Sequence, residues 1–242
     1  MNENFENKPV KEKKSKKKWI ILLALLLIFI GFLVVIYPYA ASMYFEYRQQ
    51  NLINTWIIDQ AGLVPKNNQD NQNNLNNPNN PNASPEYADE ESLDDYIFEE
   101  DLNAFFDFNY ALSRMTGTLK IPSINLSLPI LKGDTKTNLN IGACEVKGST
   151  ILGNPGNYIL AGHYSRIRGR FFNRLPDIQI GASVFISDGF YSYEYEVAEI
   201  LHVKAEDTWA VQLNVPETMA SLITCDYGVQ PYGRIIVKCL LK

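Results

Sequence analysis

The sequence holds little cysteine and less histidine: three cysteines, Cys144, Cys225 and Cys239, and two histidines, His163 and His202, in 242 residues. Three cysteines are too few for a disulfide framework, and an odd number leaves at least one thiol unpaired. No internal repeat shows at the usual periods. No long basic face with interleaved aromatics runs through the C-terminal part, which argues against nucleic acid as a partner. The net charge of -5 is an average over two opposed segments. Residues 1–18 carry seven Lys against three Glu, and residues 86–101 carry nine acids and no base.

One long hydrophobic run is present. Residues 19–37 contain no charge and are nearly all Ile, Leu, Val, Phe or Ala, enough to cross a bilayer core as a helix. A transmembrane helix is therefore expected over 19–39. The Lys-dense flank 11–18 makes 1–18 a cytoplasmic tail by the positive-inside bias and puts everything after residue 39 outside the cell. Ala40, Ala41 and Ser42 would suit a signal peptidase, but the run is longer than a signal-peptide core, so a retained single-pass anchor is expected. An unpaired thiol carried into an oxidising exterior then needs a chemical reason to be there.

Residues 40–65 read as a juxtamembrane helical segment, amphipathic over 44–58. Residues 66–115 read as a linker: 66–82 are Asn-rich with too little apolar area to pack, and the acidic run 86–101 that follows either docks on a partner or stays solvated, the commoner fate of such runs. Tyr96, Ile97, Phe98, Phe105 and Phe106 are apolar within an acidic stretch and are candidates for a lid over a groove. From residue 116 short apolar runs are broken by Gly, Pro, Asn and Asp. Strands are expected at 117–121, 126–130, 157–163, 182–187, 191–204, 219–225 and 234–240, with brief helices near Asn138 and Phe171. Residues 116–242 thus form one all-β domain, an antiparallel sandwich or barrel.

His163 ends the apolar run Tyr158-Ile159-Leu160-Ala161-Gly162-His163, where Gly162 lets the backbone bend and leaves the ring at a rim. His202 lies inside an alternating strand and reads as structural. Cys225 also ends an apolar strand, before the turn residues Asp226, Tyr227 and Gly228. Cys144, in a loop or short helix, and Cys239, in the last strand, read as small buried hydrophobes. Arg234 follows Cys225 across a loop with Gly228, Pro231 and Gly233. If the two strands are neighbours, its cation lies near the thiol, where it would favour thiolate and stabilise an oxyanion. Spacing alone fits a surface Arg on an edge strand equally well.

Leu222-Ile223-Thr224-Cys225 matches the Leu-x-Thr-Cys signature of sortases, Leu160-Ala161-Gly162-His163 resembles their histidine strand, and Gly233-Arg234-Ile235-Ile236-Val237 resembles their arginine strand. The order His, Cys, Arg agrees, as do 119–124, 128–130 and 171–175. The resemblance covers about 117–241 and implies an eight-stranded β-barrel with short helices on the surface of a Gram-positive cell. It implies a cysteine transpeptidase that cuts a C-terminal sorting motif, often Leu-Pro-x-Thr-Gly, in exported proteins through a thioacyl intermediate. A peptidoglycan precursor or pilin amine would then release the intermediate. By position Cys225 would be the nucleophile, His163 the acid and then base, and Arg234 the ligand of the substrate carbonyl or oxyanion, with Thr224 contributing beside it. No cofactor and no metal are expected.

The absence of an apolar tail after Leu241, and of an Asp-Pro-Phe or Asp-Pro-Trp lid motif before the barrel, favours class A or D character over the pilus-building class C. Tyr227-Gly228-Val229 and the Tyr37-Pro38 beyond the span resemble that pilus group. The competing readings are a pilin polymerase, a cysteine peptidase that only hydrolyses, and a non-catalytic cell-surface binding domain.

Overall fold

The computed structural model describes residues 14–62, 106–165, 167, 169–229 and 233–242. Most of the expected linker, including the acidic run and four of the five aliphatic and aromatic residues proposed as a lid, lies outside the described residues, as does most of the basic tail. Helix α1, Lys14–Gln60, runs through the whole apolar stretch without a break, and Pro38 lies inside it. Among the described residues this is the one helix long and apolar enough to span a membrane, with a mean hydropathy of 3.3 in its best window and none of that window buried. It is consistent with a single-pass anchor.

Contacts divide the chain into residues 1–44 and a second unit, residues 45–242. The second unit holds α2 (Phe108–Arg114), β1 (Met115–Ile121), β2 (Leu126–Lys132), α3 (Lys136–Leu139), β3 (Ala143–Glu145), β4 (Gly156–Ala161), β5 (Ser183–Ser187), β6 (Ser192–Lys204), β7 (Thr218–Asp226) and β8 (Gly233–Leu241). The eight strands close into a barrel in the order β1-β2-β3-β4-β7-β8-β6-β5. Closure removes every free sheet edge. Most pairs are antiparallel, but β2–β3 and β4–β7 are parallel, so the barrel is mixed. The parallel contact of β4 with β7 matters most, because it brings the C-terminal ends of both strands to the same rim.

The barrel interior is filled by alternate residues of each strand, among them Leu119, Ile121, Leu160, Val184, Tyr195, Leu222 and Val237. Period-two alternation makes this possible, and each fully buried Leu or Ile contributes roughly 1.5–3 kcal/mol of transfer free energy. β4 is buried along nearly its full length, which explains its continuous apolar run.

A second cluster lies outside the barrel wall. Phe45, Leu52, Ile53 and Trp56 of α1 are buried with Phe106, Ala111, Met115, Leu131, Leu139, Ile141, Cys144 and Phe171. Arg48 and Gln50 donate to the carbonyls of Phe106 and Ser127, and Gln49 donates to that of Ile141. The amphipathic face read over 44–58 thus has its partner, the barrel. From Phe106 the chain is also folded onto this unit: Asp107 caps α2 by accepting from the backbone N–H groups of Asn109 and Tyr110. The expected strands form with ends shifted by a few residues. No helix forms at Phe171, where the chain turns instead and makes a short 3-10 turn at Leu175–Asp177 with Pro176 near its start. Cys144, expected in a loop or short helix, lies in the three-residue strand β3.

Candidate active site

Strand register assembles the site. Cys225 stands opposite Arg234 in the antiparallel β7–β8 pair, so the two side chains leave the same face of the sheet. Ala220 and Leu222 on β7 point into the barrel. Thr224 shares their face, and Cys225 points outward with Ile223, by the same alternation. Ile223 packs on a small cluster of Val203, Ala210 and Ile236 beneath the 3-10 turn Thr208–Ala210.

The histidine arrives along β4. Ala161 is level with Ile223 in the parallel pair, and the N–H of Gly162 donates to the carbonyl of Ile223 at 3.0 Å. The buried hydroxyl of Thr224 donates to the carbonyl of Gly162 at 2.8 Å. These two bonds carry the register one step past the end of β4 and tie Gly162, the residue before His163, to the strand that ends at Cys225. Gly162 also meets a steric requirement. A Cβ there would come within 2.8 Å of the Phe172 ring, and the backbone N–H of Phe172 donates to the carbonyl of His163 at 3.0 Å. Gly233 is constrained likewise, since a Cβ would meet the Asp226 carbonyl at 2.6 Å and Val229 at 2.5 Å.

The three thiols differ sharply. Cys144 and Cys239 are fully buried, whereas Cys225 is only partly so. Burial pushes the Cys144 thiol well above its ordinary range, helped by the charges of Asp134 and Glu145, and pushes Cys239 up to about 12. Both remain protonated and inert at neutral pH. Cys225 is therefore the solvent-reachable thiol, and it sits on the face that Arg234 shares. The guanidinium of Arg234 donates to the Gly233 carbonyl at 3.0 Å, which leaves further N–H groups directed by its planar fork.

Around His163 lies an aromatic shelf. Its ring meets Phe171 edge-on, with centroids 5.9 Å apart. Phe171 is buried and has φ of 46°, a left-handed conformation that costs a non-glycine residue about 1–3 kcal/mol and persists only where packing imposes it. An isolated bridge to Tyr164 holds it in place.

His202, read as structural, has a specific role in the rim. Its Nδ1 lies 2.6 Å from Asp226 Oδ2, and the other carboxylate oxygen of Asp226 accepts from the N–H of Gly228. The pair sits on the face of the sheet opposite Cys225 and braces the turn that follows it. Nothing in the local sequence announces it, because the contact passes across β8. Among the described residues no group of three or more His, Cys, Asp or Glu side chains could hold a metal ion.

Fold and site together define a closed β-barrel protein with one solvent-reachable thiol beside a fixed cation at a strand-end rim. The profile of the sortase domain matches residues 119–242, and the chain belongs to the sortase family. It is 34% identical to sortase A of Bacillus anthracis over 140 residues, which is 58% of this chain and 64% of that protein. It is 28% identical to sortase A of Listeria monocytogenes over 128 residues, 53% of this chain and 57% of that one. The matched region thus spans less than two thirds of the length of these relatives. Among solved structures, L. monocytogenes sortase A aligns with a TM-score of 0.50 at 26% identity, covering 53% of this chain and 88% of that chain. Sortase C1 from Streptococcus agalactiae aligns with a TM-score of 0.51 at 26% identity, covering 54% and 69%.

Proposed function

We propose that this protein is a membrane-anchored extracellular cysteine transpeptidase that cuts a C-terminal sorting motif of the Leu-Pro-x-Thr-Gly kind in exported proteins and joins the new end to a cell-wall amine. The observation that carries this reading is the direct cross-strand pairing of Cys225 with Arg234, in a chain of this family. Class A or D character is favoured over pilin polymerisation. Residues 1–18 are assigned to the cytoplasm, 19–39 to the membrane and 116–242 to the catalytic barrel.

In the proposed mechanism the Cys225 thiolate attacks the carbonyl carbon of the scissile bond, and Arg234 donates to the oxyanion that forms. The C–N bond breaks as protonated His163 gives its proton to the leaving amine, leaving a thioester on Cys225. An incoming primary amine attacks that thioester, loses its proton to His163, and releases product and thiolate. Covalent catalysis of this kind replaces one difficult acyl transfer by two easier ones. Thr224 acts at one remove: its hydroxyl proton is committed to the Gly162 carbonyl, so it ties the histidine strand to the cysteine strand.

The test is product analysis with a panel of sorting peptides, with and without a primary amine such as triglycine. Transfer product that rises with amine concentration is the expected result. Hydrolysis alone across all amines would make the protein a peptidase, and no cleavage of any peptide would favour a binding domain.

A further inference from the structure

Helix α1 does more than lead into the barrel: its segment 45–60 carries an aromatic side chain into the surroundings of His163. Phe45 is buried, with its ring edge-on to Phe171 at 5.4 Å, and Phe171 in turn meets His163 at 5.9 Å. Three rings are therefore in series. The first is itself held on two other sides, by Phe106 at 6.0 Å and by the guanidinium of Arg170, 4.4 Å from its centroid. Further along the helix, Leu52, Ile53 and Trp56 are buried in the same cluster, so the segment has no freedom to slide.

Phe171 is the residue that makes the arrangement informative. Its left-handed backbone is unfavourable for an aromatic residue, so it must be held by its surroundings. Phe45 supplies one wall of the slot that holds it. Edge-to-face ring pairs are directional as well as apolar, and a ring standing against an imidazole limits the orientations that imidazole adopts. We propose that Phe45, acting through Phe171, is a positioning residue for His163, which makes the juxtamembrane segment of α1 a working part of the site. That the orientation of His163 matters to turnover rests on the function proposed above; the positioning itself does not.

The test uses the full chain in detergent, with histidine labelled at Cε1. Two histidines in the whole chain give two ring signals, and His202→Gln assigns them. Phe45→Ala, Phe45→Tyr and Leu52→Ala are compared for the His163 signal and its pH titration, for kcat and KM on a sorting peptide, and for Tm. Expected for Phe45→Ala are a moved His163 signal, a shifted titration midpoint and a fall in kcat of roughly tenfold, with KM little changed. Phe45→Tyr, which keeps the ring, restores all of these. Leu52→Ala lowers Tm by a comparable amount but leaves the signal in place. An unmoved His163 signal in Phe45→Ala overturns the proposal, and so does an equal movement in Leu52→Ala, which would mark a general loosening. A moved signal with unchanged kcat supports the positioning and counts against the catalytic part assigned to His163.

Discussion

Cys225 and Arg234 are direct partners across β7 and β8, and Gly233, next to Arg234, has no space for a Cβ. The cation is thereby held to the thiol by backbone register. Replacing Arg234 by Lys keeps the charge but loses the rigid fork. A fall in kcat/KM of about tenfold or more is expected for Arg234→Lys, and of about 10²–10³ for Arg234→Ala, the range found for an oxyanion donor. Tm should hardly change, since the side chain is only partly buried. Activity within a factor of two of the parent in both variants would remove Arg234 from the mechanism.

The difference in burial among the three thiols sets a count. A charged disulfide reagent should label one thiol quickly in the native protein and three after denaturation, with the fast one lost in Cys225→Ala. Fast labelling of two or more native thiols would contradict the buried placement of Cys144 and Cys239.

The raised thiols also set an alkaline limit. Folding lifts the Cys239 thiol from 9.0 to about 12 and raises Cys144 in the same direction. Above pH 9 the unfolded chain loses these protons while the folded chain keeps them, so the unfolded state binds fewer protons and stability falls as pH rises. Their contribution is complete below pH 9 and declines upward by about 1.4 kcal/mol per pH unit for each such thiol. Urea unfolding at a series of pH values should show a shallower alkaline decline in Cys239→Ala than in the parent. Parallel declines would mean that other groups set the limit.

Trp56 tests whether the helix segment belongs to the folded unit. It is 4% exposed, although it lies far outside the region that matches the sortase profile. Trp56→Ala is expected to cost about 3–5 kcal/mol, the usual range for a buried Trp, and to lower Tm by roughly 10 °C. A fragment beginning at residue 116 would uncover Leu131, Leu139 and Ile141 together and should aggregate where the longer chain does not. An unchanged Tm in Trp56→Ala would show that the helix merely leads up to the barrel.

Much of the barrel is legible in the sequence because its strands alternate or run continuously apolar between turn residues; 191–204 and 219–225 are examples. Strand β3 escapes notice because three residues are too few to show a period. The mixed topology is equally silent, since hydrophobic patterning does not say which strands pair. At the site, Cys225, His163 and Arg234 stand out because each ends or begins an apolar run at a turn. His202 with Asp226, and Phe45 with Phe171, do not stand out, because each contact joins segments that only the closed barrel or the docked helix brings together. Asn-rich composition marks 66–82, which lie outside the described residues, as unable to pack by itself, but the linker reading carried on to 115 passes over the capped helix α2.

The most direct measurement is the intact mass of the protein after brief incubation with a sorting peptide in the absence of an amine. An adduct equal to the N-terminal acyl fragment of the peptide, mapped to Cys225, absent from Cys225→Ala and discharged by an added amine, is the expected result. Peptide cleavage that persists in Cys225→Ala would contradict the account.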